Sequence, residues 1–488
     1  MNLLNICKLS VNNIERCDDL FVNINFQKDI FFQSISLKNF FLLIFINLIL
    51  FILLKQLKIF KSFNKYILIF LSFNFSLFLL LIIIYPSNIP FTDTWQEVGY
   101  LIKYPLKSFI MDNASGHPFL GFRIIHYILY KYFSLNYNLL HIVNFIIYFF
   151  ACLLFIFYLN KFKNIYLLFI FLLIIFSGKW LNILLEPVNI AWTINFIITI
   201  SFIIFLNFRD NYFKYIMLTL LLLLAVSNFG AGISLLLYFI MYLYFIKKKI
   251  NVKIFLFFPI FLSFIFLILF RYVNLSILNS ETIRLDIFNI NLLKAIKNYL
   301  GLSASVYFPY LIFLKPIYIL IGLIQNLIIL YYIFLNKKKY LDEIKNIVVR
   351  NPFLIIGILG CSIISIFRGD AFEQIRYFSF SIFFQLGFFI FIHHQNSKVF
   401  LIIKKKLFLF LIAVLYLISI VGPNTGLHFA ISRTSIANMV SNCLILHYKD
   451  CNKIIYDLTF YKNNWYNYSD FERHINYLKK NKLSLFST

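Results

Sequence analysis

Twelve apolar runs set the terms for this chain, at roughly 40–54, 66–85, 139–159, 165–178, 190–207, 215–228, 232–246, 254–273, 307–335, 352–367, 377–392 and 407–421. A helix needs about 20 apolar residues to cross the hydrocarbon layer. A chain with this many such runs reads as an all-α polytopic membrane protein with about 11–12 transmembrane helices. Several runs fall short of that length, so one or two are expected to be re-entrant. Lys315-Pro316 interrupts the run 307–335, which predicts a broken helix there.

The loops between the runs alternate in charge. Lys55, Lys58, Lys61 and Lys65 fill the first, and Lys161 with Lys163 the next of its kind. Arg209 with Lys214, Lys247 to Lys249 with Lys253, Lys337 to Lys339 with Lys345 and Arg350, and Lys398 with Lys404 to Lys406 continue the series. These loops hold three acids, Asp210, Asp342 and Glu343. Basic loops stay in the cytoplasm, so the other set, 86–138, 179–189, 229–231, 274–306, 368–376 and the tail 422–488, faces outward. The net charge of +26 is spread as short clusters between apolar runs. That pattern suits anionic headgroups and excludes a nucleic-acid face. Only 13% of the residues are charged, against about a quarter in soluble proteins. The excess of Phe, Ile, Asn, Lys and Tyr follows an AT-rich codon bias, and aromatic stripes carry no functional weight.

Tail aside, the outward set carries eight acids: Asp93, Glu97, Asp112, Glu186, Glu281, Asp286, Asp370 and Glu373. Asp93 and Glu97 stand one helical turn apart in Pro90-Phe91-Thr92-Asp93-Thr94-Trp95-Gln96-Glu97, just past the run 66–85. A carboxylate near a bilayer boundary is costly unless solvated or paired, which marks a functional site; as a structural residue, Asp93 would serve a turn or helix cap. Tyr100 to Ile110 reads as a short amphipathic helix lying on the membrane. The turn Met111 to Gly116 follows, and then His117-Pro118-Phe119-Leu120, where Pro118 suits the first turn of a new helix.

An apolar span, an outer loop opening with an Asp, an interfacial helix and a His-Pro-Phe-Leu helix start resemble the GT-C superfamily of polytopic glycosyltransferases, of the protein O-mannosyltransferase and aminoarabinose-transferase type. In detail the resemblance covers residues 66–160. It departs at Thr94-Trp95, where many members have a second acid. The resemblance implies a polyprenyl phosphate or diphosphate sugar donor, a glycan, lipid or protein acceptor, and Asp93 as catalytic base. Glu97 or Glu186 is the second carboxylate it implies. It allows a divalent cation, Mg or Mn, on these acids. The leaving phosphate calls for cations, and His117, Arg123, Lys179, Arg368 and Arg376 are the side chains expected to bind it. Arg368 and Arg376 flank the alternating-sign loop 367–377, where mutual ion pairing is the structural alternative.

Residues 1–38 are polar and mixed in charge, 39–421 form the transmembrane domain, and 422–488 are a small extramembrane tail. No cleavable signal is evident, so the first apolar run is expected to direct insertion into the cytoplasmic membrane. Cys152 and Cys361 read as core filler, whereas Cys443 and Cys451 can pair if the tail lies outside the cytosol. Ser227 to Gly232 holds a Gly-x-Gly with no preceding strand, so it reads as a tight turn. Two other functions fit the same outline: an O-antigen-type polymerase relying on outer-loop arginines, and a lipid-linked oligosaccharide flippase.

Overall fold

The structure, a computed structural model, describes residues 36–56, 65–90, 93–111, 113–114, 117–159, 165–228, 232–246, 256–268, 291–306, 315–335, 340–367, 377–395, 426–445, 451–460 and 468–486, with isolated positions from 410 to 420. Arg368, Arg376, Asp112 and the first 35 residues lie outside these, as do the side chains of Asp93 and His117.

The chain is an all-α polytopic membrane protein. Two apolar helices open it, α1 (Leu37–Gln56) and α2 (Lys65–Ile84), packed on each other. A group of short helices follows: α3 (Asp93–Lys103), α4 (Leu106–Met111) and α5 (Leu120–Phe133). Then come α6 (Tyr137–Leu159), α7 (Ile165–Ile175), α8 (Lys179–Leu184), a 3-10 turn at Pro187–Asn189, α9 (Ile190–Leu206), α10 (Tyr212–Asn228) and α11 (Gly232–Phe245). The second half comprises α12 (Leu256–Ile268), α13 (Leu292–Ser303), α14 (Lys315–Leu335), α15 (Tyr340–Arg350), α16 (Pro352–Phe367) and α17 (Phe378–Gln395). Three tail helices close it, α18 (Gly426–Ile445), α19 (Cys451–Phe460) and α20 (Tyr468–Lys480).

Among the described residues six helices are long and apolar enough to cross a membrane, or seven if the bent pair α15 and α16 counts as one span. The expectation of 11–12 took in further runs that are shorter helices or lie in part outside the described residues. The apolar runs at α10, α11, α12 and α17 do form helices, but of 10–17 residues, short of the about 20 that a perpendicular crossing needs. Most of the run 407–421 lies outside the described residues. Pro316 lies in the first turn of α14, where proline is at home, and the part of the expected broken helix before it, 307–314, lies outside the described residues. The loop expected after Lys339 holds α15, with Asp342 and Glu343 in its first turn and Arg350 in its last. Those charges complement the helix dipole, and α15 meets α16 at 95°.

Close backbone approach holds α16 to α17. A Cβ added at Gly357 would collide with Phe384, and one at Gly387 with Leu354, the small-residue packing that membrane helices use. Gln325 and Gln385 exchange amide hydrogen bonds at 2.8 Å in both directions between α14 and α17.

The buried apolar residues form two separate cores. The larger lies among the spanning helices and runs from Leu54 to Ala430. The smaller gathers Trp95, Val98 and Leu101 of α3, Phe109 of α4, Phe122 and Leu129 of α5, Ile436 and Val440 of α18, Ile455 of α19, and Phe471, Ile475 and Leu478 of α20. The loop 86–138 and the tail therefore fold together into one cap. The amphipathic helix expected over Tyr100 to Ile110 is divided between the end of α3 and α4, and its Leu101 and Phe109 are buried in this cap core rather than laid on a membrane. Trp95 meets Phe471 edge to face at 4.8 Å, and the Tyr130 and Tyr477 hydroxyls share a hydrogen bond of 2.9 Å. Cys443 of α18 and Cys451 of α19 are joined by a disulfide.

Candidate functional site at the seam between two cores

The chain crosses between the large core and the cap core five times, and four crossings carry a polar residue; the fifth, from Ala191 of the cap core to Trp192 of the large core, carries none. Ser87 stands between Tyr85 of the large core and Ile89 of the cap. His141 follows Leu140 of the cap and precedes Phe145 of the large core. Glu186 separates Leu185 from Val188, and Arg433 separates Ala430 from Ile436 in the same sense. These polar residues lie where the apolar core among the spanning helices gives way to the cap core. Polar side chains are affordable there because partners and water are within reach.

The four residues form a connected set. Arg433 Nη2 donates to Glu186 Oε2 at 2.6 Å, with side-chain exposures of 4% and 13%. Pro187 restricts the residue before it to extended backbone, and Glu186 has φ −109° and ψ 114°. The His141 ring faces two carbonyls, Leu184 O from Nδ1 at 3.1 Å and Ser87 O from Nε2 at 3.4 Å. A neutral imidazole donates from one nitrogen, so it satisfies only one of them. His141 is close enough to feel the charges of both Glu186 and Arg433. Thr434 Oγ1 donates to Pro86 O at 3.4 Å.

Residues 85–90 form a strut that carries α3. Ser87 N donates to Asn138 Oδ1 at 2.8 Å, and Tyr137 N to Asn88 Oδ1 at 2.8 Å. The far end of the tail grips the same strut: Ser484 Oγ donates to Asn88 O at 3.0 Å, and Asn88 Nδ2 to Ser484 O at 3.1 Å. Asp93 opens α3, and α3 packs on the 3-10 turn Pro187–Asn189 immediately after Glu186. The seam thus brings α3 and the turn after Glu186 together.

The other expected site residues lie elsewhere. Glu97 and Arg123 form a buried pair inside the cap, and Arg123 also donates to Phe109 O and lies over the Tyr100 and Phe109 rings. Glu97, expected as a catalytic carboxylate, and Arg123, expected at the phosphate, are thus each other's partners. His117 pairs through its backbone with Ala114 in a two-residue antiparallel ladder, and α5 begins at Leu120, after rather than at Pro118. Lys179 is buried at the start of α8, beside Phe176 and Trp180 of the large core, and its ammonium donates to Ser305 O. Among the described residues no three His, Cys, Asp or Glu side chains gather, so no ligand set is assigned to a divalent cation.

Two cap histidines are pushed down by burial. His126, against Tyr137 Oη at 3.0 Å, falls to about 3, with the Arg123 charge adding to desolvation. His474 falls to about 4, chiefly by desolvation, with Asp470 opposing and Arg473 assisting.

Sequence reasoning missed Arg433, His141 and Ser87. The available signal was a lone polar residue inside an apolar helical stretch, as in Leu139-Leu140-His141-Ile142-Val143. No protein-family model, no curated protein and no solved structure matches the chain.

Proposed function

We propose that this protein is a GT-C-like membrane glycosyltransferase. It transfers a sugar from a polyprenyl phosphate or diphosphate donor to a glycan, lipid or protein acceptor at the outer face of the cytoplasmic membrane. One observation carries the reading: α3, opened by Asp93, is held by the strut 85–90 against the turn that follows Glu186, at the level where the large core ends. A polyprenyl chain in hydrocarbon puts its phosphate at that same level. The acceptor hydroxyl gives its proton to the Asp93 carboxylate as its oxygen attacks the anomeric carbon. The bond from that carbon to the phosphate oxygen breaks, and the phosphate leaves with the electron pair, stabilised by a nearby cation. The cap shields the reacting centre from bulk water.

The test is sugar transfer in membranes carrying Asp93→Asn at normal protein level. Transfer is expected to be lost, and full transfer would sink the reading. Loss of activity in Arg376→Ala with a silent Asp93→Asn would move the assignment to a polymerase that works through outer-loop arginines.

A further inference from the structure

The Glu186–Arg433 pair sits where a lipid phosphate has to pass, yet its carboxylate is already engaged. We infer that Arg433 receives the phosphate of the lipid-linked donor and that this binding exchanges its ion pair, releasing the Glu186 carboxylate into the site. This rests on the transferase reading above and adds to it a second carboxylate that exists only once donor is bound.

Three observations support the exchange. Arg433 lies on α18 between Ala430 of the large core and Ile436 of the cap, which places it at the boundary between the two cores. Glu186 Oε2 meets Arg433 through Nη2 at 2.6 Å, and a guanidinium has five donors in a planar fork that suits phosphate as well as carboxylate. Glu186 is the more open partner, 13% exposed against 4%, so it can turn toward solvent while Arg433 stays in place. One charge-assisted bond is traded for another, and the buried cation is never left unpaired, which would be the expensive state. His141 lies near enough to Glu186 to meet the displaced carboxylate. Because Pro187 holds the Glu186 backbone extended, the motion falls on the side chain.

The experiment uses the full chain in phosphatidylethanolamine nanodiscs, with labelling of Glu186 by a water-soluble carbodiimide read by peptide mass spectrometry. Samples contain no addition, polyprenyl phosphate in the bilayer, or inorganic phosphate in solution. Polyprenyl phosphate is expected to raise Glu186 labelling about tenfold. A rise with inorganic phosphate alone would overturn the assignment to a lipid headgroup. Binding of polyprenyl phosphate, followed separately by native mass spectrometry, is expected to fall about tenfold in Arg433→Gln and to recover in part in Arg433→Lys. The neutral pair Glu186→Gln/Arg433→Gln keeps a side-chain hydrogen bond and guards against misfolding; if it is stable and binds like the wild type, the inference is overturned. Glu186→Gln alone removes the competitor and is expected to bind more tightly, an effect that a purely structural ion pair would not give. Donor binding with unchanged Glu186 labelling defeats the exchange and leaves the transferase reading standing. No donor binding to the wild type defeats both.

Discussion

Arg123 closes on Glu97 as a two-pronged fork, with Nε 2.8 Å from Oε2 and Nη2 3.0 Å from Oε1. The remaining arm donates to Phe109 O at 2.8 Å, which ties α5, α3 and α4 together inside the cap. Side-chain exposures of 0% and 3% place both charges out of water. Removing one partner would leave the other charge buried and uncompensated, at a cost of about 3–5 kcal/mol.

Arg123→Ala is therefore expected to loosen the cap rather than only silence the site. Lys in its place restores the charge but not the fork, so it should recover part of the loss. Limited proteolysis of residues 93–133 in membranes reads this directly. An Arg123→Ala cap as resistant as the wild type, but inactive, would return Arg123 to the substrate-binding role first expected of it.

His474 of α20 lies flat against Gly99 of α3, where an added Cβ would run into the ring. Gly99→Ala is expected to cost about 1–3 kcal/mol of cap stability, as overpacking does. His474→Ala in the same chain makes room, so the double variant should be more stable than the sum of the single effects predicts. Thermal unfolding of the four combinations gives that coupling; strict additivity would place the ring elsewhere.

Much of this was legible in the sequence, in proportion to how local the physics is. The described apolar runs became helices because hydropathy acts residue by residue, and the extended backbone before Pro187 follows from the proline alone. The amphipathic α20 was also readable: Phe471, Ile475 and Leu478 are spaced four and three apart, and all three are buried. The seam was not readable. Arg433 reaches Glu186 across 247 residues, and Glu97 meets Arg123 across 26, so a lone acid in the sequence looks the same whether it is catalytic or paired.

The cap should weaken in acid. His474 and His126 have folded values of about 4 and about 3, below the ordinary 6.5. Between those limits the unfolded chain binds more protons than the folded one, so stability rises with pH there. The histidine contribution is complete above about 6.5 and is lost as pH falls toward 4 for His474 and toward 3 for His126. Protease resistance of the cap should drop on going from pH 7 to 5, before most carboxylates titrate. His474→Gln should flatten that drop; an unchanged slope would assign it to other groups.

The Cys443–Cys451 disulfide tests both the cap and its sidedness. It closes a loop with a sequence separation of 8, across a Cα–Cα distance of 5.6 Å, at the point where α18 turns into the cap. A loop this short contributes about 2.5 kcal/mol by constraining the unfolded chain. Cys443→Ser should therefore lower the resistance of α19 and α20 to protease, with the spanning helices unaffected because their core is separate. A bond of this kind persists in an oxidising compartment and is rare in the cytosol. If the cap faces outward, as the alternating basic loops imply, cysteine blocking in intact cells should leave both thiols unlabelled until a membrane-impermeant reductant is added. Free thiols in cells, labelled without reductant, would put the cap in the cytosol and invert the topology, and with it the outer-face donor on which the proposed transfer depends.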